Sequence, residues 1–77
     1  MENNLKLVEQ FLAEANMTAL DFYSITISPY RIAFQGSFDR DLGLKASLFG
    51  EGRLGNTTGF IGFNFQYNGA NIEITLT

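Results

Sequence analysis

Apolar and polar positions recur with two different periods in this chain, and the change of period divides it. Over residues 4 to about 16, Leu5, Val8, Leu12 and Ala15 fall at helical spacing and Phe11 widens the stripe, while Glu2, Lys6, Glu9, Gln10 and Glu14 take the other side. This predicts a helix of a little over three turns. Asn3 or Asn4 can cap its start by accepting a hydrogen bond from a free backbone N–H. Asn16, tolerant of the left-handed conformation, marks its stop. A stripe of this width is the core-facing side of one helix lying across one sheet.

From Phe22 onward the period is two. Tyr23, Ile25 and Ile27 alternate with Ser24, Thr26 and Ser28. Ser28-Pro29-Tyr30-Arg31 follows as a turn with proline at its favoured second position. Tyr30, Ile32, Phe34, Gly36 and Phe38 then alternate with Arg31, Ala33, Gln35 and Ser37. Pairing across the turn sets Ile27 opposite Ile32 and Ile25 opposite Phe34, so the apolar residues share a face. The clearest hairpin closes the chain. Asn68-Gly69 supplies the two residues of positive φ that a type I′ turn needs. With that loop, Tyr67 faces Ala70, Phe65 faces Ile72, Phe63 faces Ile74 and Ile61 faces Leu76. Gln66–Asn71, Asn64–Glu73 and Gly62–Thr75 fall on the other, wet side, and the strand leading into the turn begins near Thr57.

The middle of the chain admits two periods. Leu44, Ala46 and Leu48 alternate with Lys45, Ser47 and Phe49 as a third strand after the turn at residues 39–43. Alternatively, Asp39 caps a short helix through Phe49 with Leu42, Lys45, Ala46 and Phe49 as its stripe. Gly43 and the lysine within that stripe favour the strand. Residues 50–56 form a glycine-rich connection. The predicted fold is therefore α+β, a single domain over 1–77, with one N-terminal helix packed on one face of a five-stranded antiparallel meander. The face under the helix carries Tyr23, Ile25, Ile27, Ile32, Phe34, Phe38, Leu44, Leu48, Ile61, Phe63, Phe65, Ile72, Ile74 and Leu76.

Composition narrows the chemistry. The 77 residues bury only about 60 to 65 per cent of their unfolded surface. There is no cysteine for disulfides or thiolate metal sites and no histidine as general base or neutral ligand. Eight phenylalanines and three tyrosines must supply the core, with oligomerisation as the other route to stability. The net charge is −3, and Lys6, Arg31, Arg40, Lys45 and Arg53 form no cluster, which leaves no electrostatic footprint for nucleic acid. No apolar run approaches the roughly 18 residues that span a bilayer. No charged n-region followed by an apolar h-region opens the chain, so a cytoplasmic protein is expected. The sequon matches at Asn16 and Asn56 carry no weight in that setting.

Three motif-like features fail on context. Gly50-Glu51-Gly52-Arg53-Leu54-Gly55 has the letters of G-x-G-x-x-G, but that motif aims a helix N-terminus at phosphates and here a strand follows; Asn56 stands where a P-loop has lysine. Asp39, Asp41 and Glu51 lack the remaining ligands of a calcium loop, and aspartates in a turn ordinarily bond their own backbone. General acid–base work recruits residue types that this chain lacks or does not pair. The sequence thus predicts no enzyme, no cofactor and no metal.

Binding remains. The wet face of the sheet presents hydroxyl and amide groups, Thr58 among them, interrupted by Phe22, Phe49 and Phe60. The residues nominated for a protein partner are Phe22, Arg31, Phe49, Glu51, Arg53, Phe60, Asn64 and Gln66, spread over that face and the glycine-rich loop. An edge strand offers a second route, and the terminal Asn71–Thr77 stretch has only Glu73 as a guard charge. In size and style the chain looks like the accessory and inhibitor proteins of phages and other mobile elements, anti-CRISPR proteins among them. That likeness implies occlusion of a larger protein complex in a host cytoplasm. The alternative is a structural subunit that assembles into a homo-oligomer, such as a dimer, by edge pairing.

Overall fold

A computed structural model describes residues 2–54 and 59–77, with side chains from Leu5 onward. Asn3 and Asn4, expected as caps, lie inside helix α1, which begins earlier, at Glu2; the start of the fourth strand at Thr57 and Thr58, the sequon at Asn56 and the wet-face position of Thr58 lie outside the described residues. The elements run α1 (Glu2–Ala15), a 3₁₀ turn (Ala19–Asp21), β1 (Ser24–Ile27), β2 (Arg31–Gly36), α2 (Arg40–Ser47), β3 (Gly52–Leu54), β4 (Ile61–Tyr67) and β5 (Ala70–Leu76). The fold is α+β with two helices and a five-stranded sheet.

Helix α1 ends as its sequence predicts. Asn16 takes φ +60°, its N–H donates to Ala13 O at 3.2 Å, and Met17 N–H reaches back to Leu12 O at 2.9 Å. Those two bonds satisfy carbonyls that the helix end would otherwise strand. The buried side of α1 is centred on Phe11, with Val8 and Ala15 beside it, and Leu5 is left exposed. Phe11 sits among the rings of Phe34, Phe49, Phe65 and Tyr67, with centroids 5.0 to 5.6 Å away. Such offset and edge contacts each add to the area that the rings bury.

The terminal hairpin forms in the expected register, with all seven pairs from Ile61–Leu76 to Tyr67–Ala70 in place. Asn68 and Gly69 have φ +48° and +87°. The first hairpin likewise pairs Ile25 with Phe34 and Ile27 with Ile32. The sheet is nevertheless mixed and not a meander. Its order is β1-β2-β5-β4-β3, and β2 runs parallel to β5 from Arg31–Asn71 to Gly36–Leu76. Strand β5 is therefore central, which overturns the expectation that Asn71–Thr77 is an open edge. Its core-side residues explain the placement: Ala70, Ile72, Ile74 and Leu76 are all buried, and a strand paired on both sides removes most apolar area from water. A parallel neighbour requires a long crossover, which α2, β3 and β4 supply.

Residues 39–49 take the helical alternative. Asp39 is extended, φ −141°, and its Oδ2 accepts from Leu42 N–H at 3.2 Å, an N-cap. Leu42 and Ala46 join the core, while Leu44 and Leu48 face water, along with Tyr23, Ile27 and Phe38. A further departure lies before β1. Tyr23 N–H donates to Gln35 O at 2.9 Å, although Ser24 is the ladder partner of Gln35. Two residues thus oppose one, a β-bulge that shifts the alternation by one position. Phe22 in consequence turns inward and Tyr23 outward.

Candidate functional site

Residues 50–54 of the glycine-rich segment are a packed element rather than a loose loop. A Cβ on Gly50 would lie 2.8 Å from Phe65 Cδ2, and one on Gly52 would lie 2.8 Å from Phe63 Cε2. The missing side chains let the backbone lie directly over two core rings. Held there, Gly52–Leu54 pairs antiparallel with Ile61–Phe63 and becomes the outer strand β3. Arg53 and Leu54 are consequently displayed at the sheet margin, Leu54 with 79% of its surface exposed.

Phe38 is carried to the same end of the molecule. Thr77 N–H donates to Gly36 O at 3.0 Å, and Phe38 N–H donates to Thr77 O at 2.7 Å. These bonds continue the parallel pairing beyond β2 and fix the backbone of Phe38, whose ring is 55% exposed. Two apolar hollows flank it. One, of about 320 Å³, is lined by Phe38, Gly43, Leu44, Gly52, Ile61 and Phe63, together with Arg40 and Ser47. The other, of about 270 Å³, lies among Phe38, Leu54, Phe60, Ile61 and Leu76. Phe38 and Ile61 are the wall they share. Leu54 and Phe60 in turn separate the second hollow from a depression of mixed polarity on the open sheet face, where Arg53, Asn64, Glu73 and Thr75 lie about Gly62 beside Phe63 and Ile74. Glu51 joins Arg53 and Asn64 in an adjoining depression.

The remainder of the open face is a ladder of polar pairs. Arg31 Nη2 and Glu73 Oε1 are 2.8 Å apart, and both are partly exposed. Gln66 Nε2 donates to Asn71 Oδ1 at 3.4 Å. Exposed contacts of this kind fix side chains without adding much stability.

The eight residues nominated from the sequence thus separate into three groups. Glu51, Arg53, Phe60 and Asn64 are brought together around the β3 margin. Arg31 and Gln66 lie on the open face but belong to its paired ladder. Of Phe22 and Phe49, both expected on the wet face, Phe22 is a core residue and Phe49 is half-buried against the core. Phe22 packs with its ring tilted against that of Phe34, centroids 4.9 Å apart, because the bulge turned it inward. Phe49 continues the Leu42–Ala46 stripe at helical spacing and packs 5.0 Å from Phe11. The exposed apolar residues of this end that sequence reasoning misses are Phe38, Leu44 and Leu54. Leu44 and Leu48 are four apart, opposite the buried stripe of α2, so a helix with two apolar sides was readable once the segment was treated as helix.

Asp39 and Asp41 serve α2 rather than a cation: Asp39 caps it, and Asp41 pairs with Lys45 at 3.3 Å. Among the described residues no three Asp or Glu side chains converge as a metal site, and no helix is long and apolar enough to cross a membrane. The Tyr67 hydroxyl is buried without a hydrogen bond of ordinary geometry. Burial raises its pKa above the usual 10.0, and the nearby Glu14 carboxylate reinforces the rise. The chain matches no protein-family model, and neither a curated protein nor a solved structure is similar to it.

Proposed function

We propose that this chain is a small non-enzymatic protein-binding module that docks through the end of the sheet built from β3, Phe38, the start of β4 and the outer side of α2. Its occupant is an apolar stretch of a larger protein that sets one bulky side chain on each side of Phe38. The observation that carries this reading is the adjacency of the two hollows, which share Phe38 and Ile61 as a wall, with a third depression of mixed polarity next to them across Leu54 and Phe60. An apolar centre with a polar rim is the anatomy of a protein interface. Arg40 lines the first hollow and Arg53 the depression beyond the second, and neither makes an ion pair among the described residues. A partner with carboxylates beside its apolar anchors complements them. Occlusion of a functional surface on a larger complex is the action that such a module performs, in the manner of the inhibitors that mobile elements encode.

The test begins with a photo-reactive residue at position 54 in cells that express the chain, followed by purification of the protein it captures. With purified components, Phe38→Asp is expected to weaken binding about 30-fold or more, as for a central anchor, and Gln10→Asp on the outer side of α1 to leave it unchanged. Equal binding by a folded Phe38→Asp variant would remove this surface from consideration.

A further inference from the structure

The opposite edge of the sheet carries a second surface, independent of the docking end. We infer that β1 pairs with β1 of a second copy across a two-fold axis through Thr26. Ser28 N–H donates to Arg31 O at 2.8 Å, and antiparallel pairs alternate between bonded and non-bonded. Ser24 and Thr26 therefore point their backbone groups toward β2, and Ile25 and Ile27 point theirs out of the sheet. Two copies aligned antiparallel on Thr26 set Ile25 of each opposite Ile27 of the other. Those are the residues whose N–H and C=O groups are free, so four backbone hydrogen bonds close at once. Ile25 and Ile27 of each copy then meet Ile27 and Ile25 of the other on the core side, and Thr26 meets Thr26 on the open side.

Natural edges are blunted by charge, proline or extreme shortness. Strand β3 has Arg53 and only three residues; Ser24–Ile27 has four residues, no charge and no proline. Large apolar side chains also surround this edge: Leu20 and Tyr23 lie before the strand, Ile27 at its end and Tyr30 just after it, all substantially exposed. Antiparallel pairing brings the start of one β1 beside the end of the other, so that Tyr23 of one copy falls beside the turn of its mate, one residue before Tyr30. The contact is isologous and closes at two copies. The five-stranded sheet continues into its copy, and the two docking ends remain free at the far margins.

Sedimentation at rising concentration tests this on the intact chain. Wild type is expected to pass from monomer to dimer. Thr26 is exposed and its backbone bonds face β2, so Thr26→Lys and Thr26→Glu leave the fold intact while setting like charges against each other at the axis. Each variant alone is expected to stay monomeric, and an equimolar mixture of the two to form the heterodimer. The Ile25 and Ile27 amides of the wild type are expected to become protected from hydrogen exchange as concentration rises, a readout that needs no variant. A wild type that is monomeric throughout, dimers of Thr26→Lys as stable as those of wild type, or a mixture that stays monomeric would each overturn the inference. None of these outcomes bears on Phe38.

Discussion

The ammonium of Lys45 on α2 donates to the main-chain carbonyl of Asn16 at 2.8 Å, so a cation from one helix closes the C-terminal end of the other. The carbonyl end of a helix carries partial negative charge, and Lys45 also reaches Asp41 one turn earlier. Lys45→Met keeps the stem and removes both contacts. It is expected to lower stability by about 1 kcal/mol, read as a shift of the urea midpoint with unchanged slope.

Glycine to alanine has opposite signs at two positions seven residues apart. At Gly50 the new Cβ meets Phe65 at 2.8 Å, and the overpacking is expected to cost about 1 to 3 kcal/mol. At Gly43, inside α2, the nearest atom is Phe38 Cε1 at 3.4 Å. There the gain in helix propensity is expected to raise stability by about 1 kcal/mol. Thermal unfolding of the two variants decides both. Destabilisation of similar size at both sites would contradict the packed reading of the glycine-rich segment.

Tyr67 gives the fold an alkaline limit. Its hydroxyl is buried, and its pKa is raised first by burial and then by Glu14. The folded state thus binds the proton more tightly than the unfolded chain. Its contribution is fully present below the unfolded value of 10.0 and is lost as pH rises through the higher folded value. Tyr67→Phe is expected to flatten the fall in stability above pH 10.0. At neutral pH the variant is expected to be as stable as wild type, or up to about 1 kcal/mol more stable, because the hydroxyl it removes is unsatisfied.

Helix α2 depends on its cap. Asp39→Ala is expected to cost about 1 kcal/mol and Asp39→Asn much less, since the amide oxygen can still accept from Leu42 N–H. Equal losses for the two variants, measured by denaturant unfolding, would mean that the carboxylate acts otherwise than as a cap.

Both hairpins were legible in the sequence because each is local: a two-residue loop fixes the register, and a slip by one residue would turn Phe63 toward a polar partner. Helix α1 was legible for the same reason, down to Asn16 as its stop. What escaped was non-local or degenerate. The pattern says which face of β5 is buried but not which strand lies beside it, and Arg31–Gly36 and Asn71–Leu76 meet across the crossover. In residues 39–49 the strand reading of Leu44, Ala46 and Leu48 and the helix reading of Leu42, Ala46 and Phe49 share Ala46. The cap of Asp39 and the ring of Phe49 among its aromatic neighbours decide for the helix. The bulge at Tyr23 leaves no mark in composition, so Phe22 was assigned to the wrong face. Of the proposed docking end, Glu51, Arg53, Phe60 and Asn64 were within reach; Phe38, Leu44 and Leu54 required the sheet order.

Everything proposed for the two margins follows from β5 being paired on both sides, and amide hydrogen exchange along that strand tests it most directly. The Asn71 and Thr77 amides bond toward β2, to Tyr30 O and Gly36 O, so Glu73 and Thr75 point the same way, while Ile72 and Ile74 point toward β4. The expected result is strong protection at all four of residues 72 to 75. Fast exchange confined to Glu73 and Thr75 would place β5 at an open edge and contradict the arrangement.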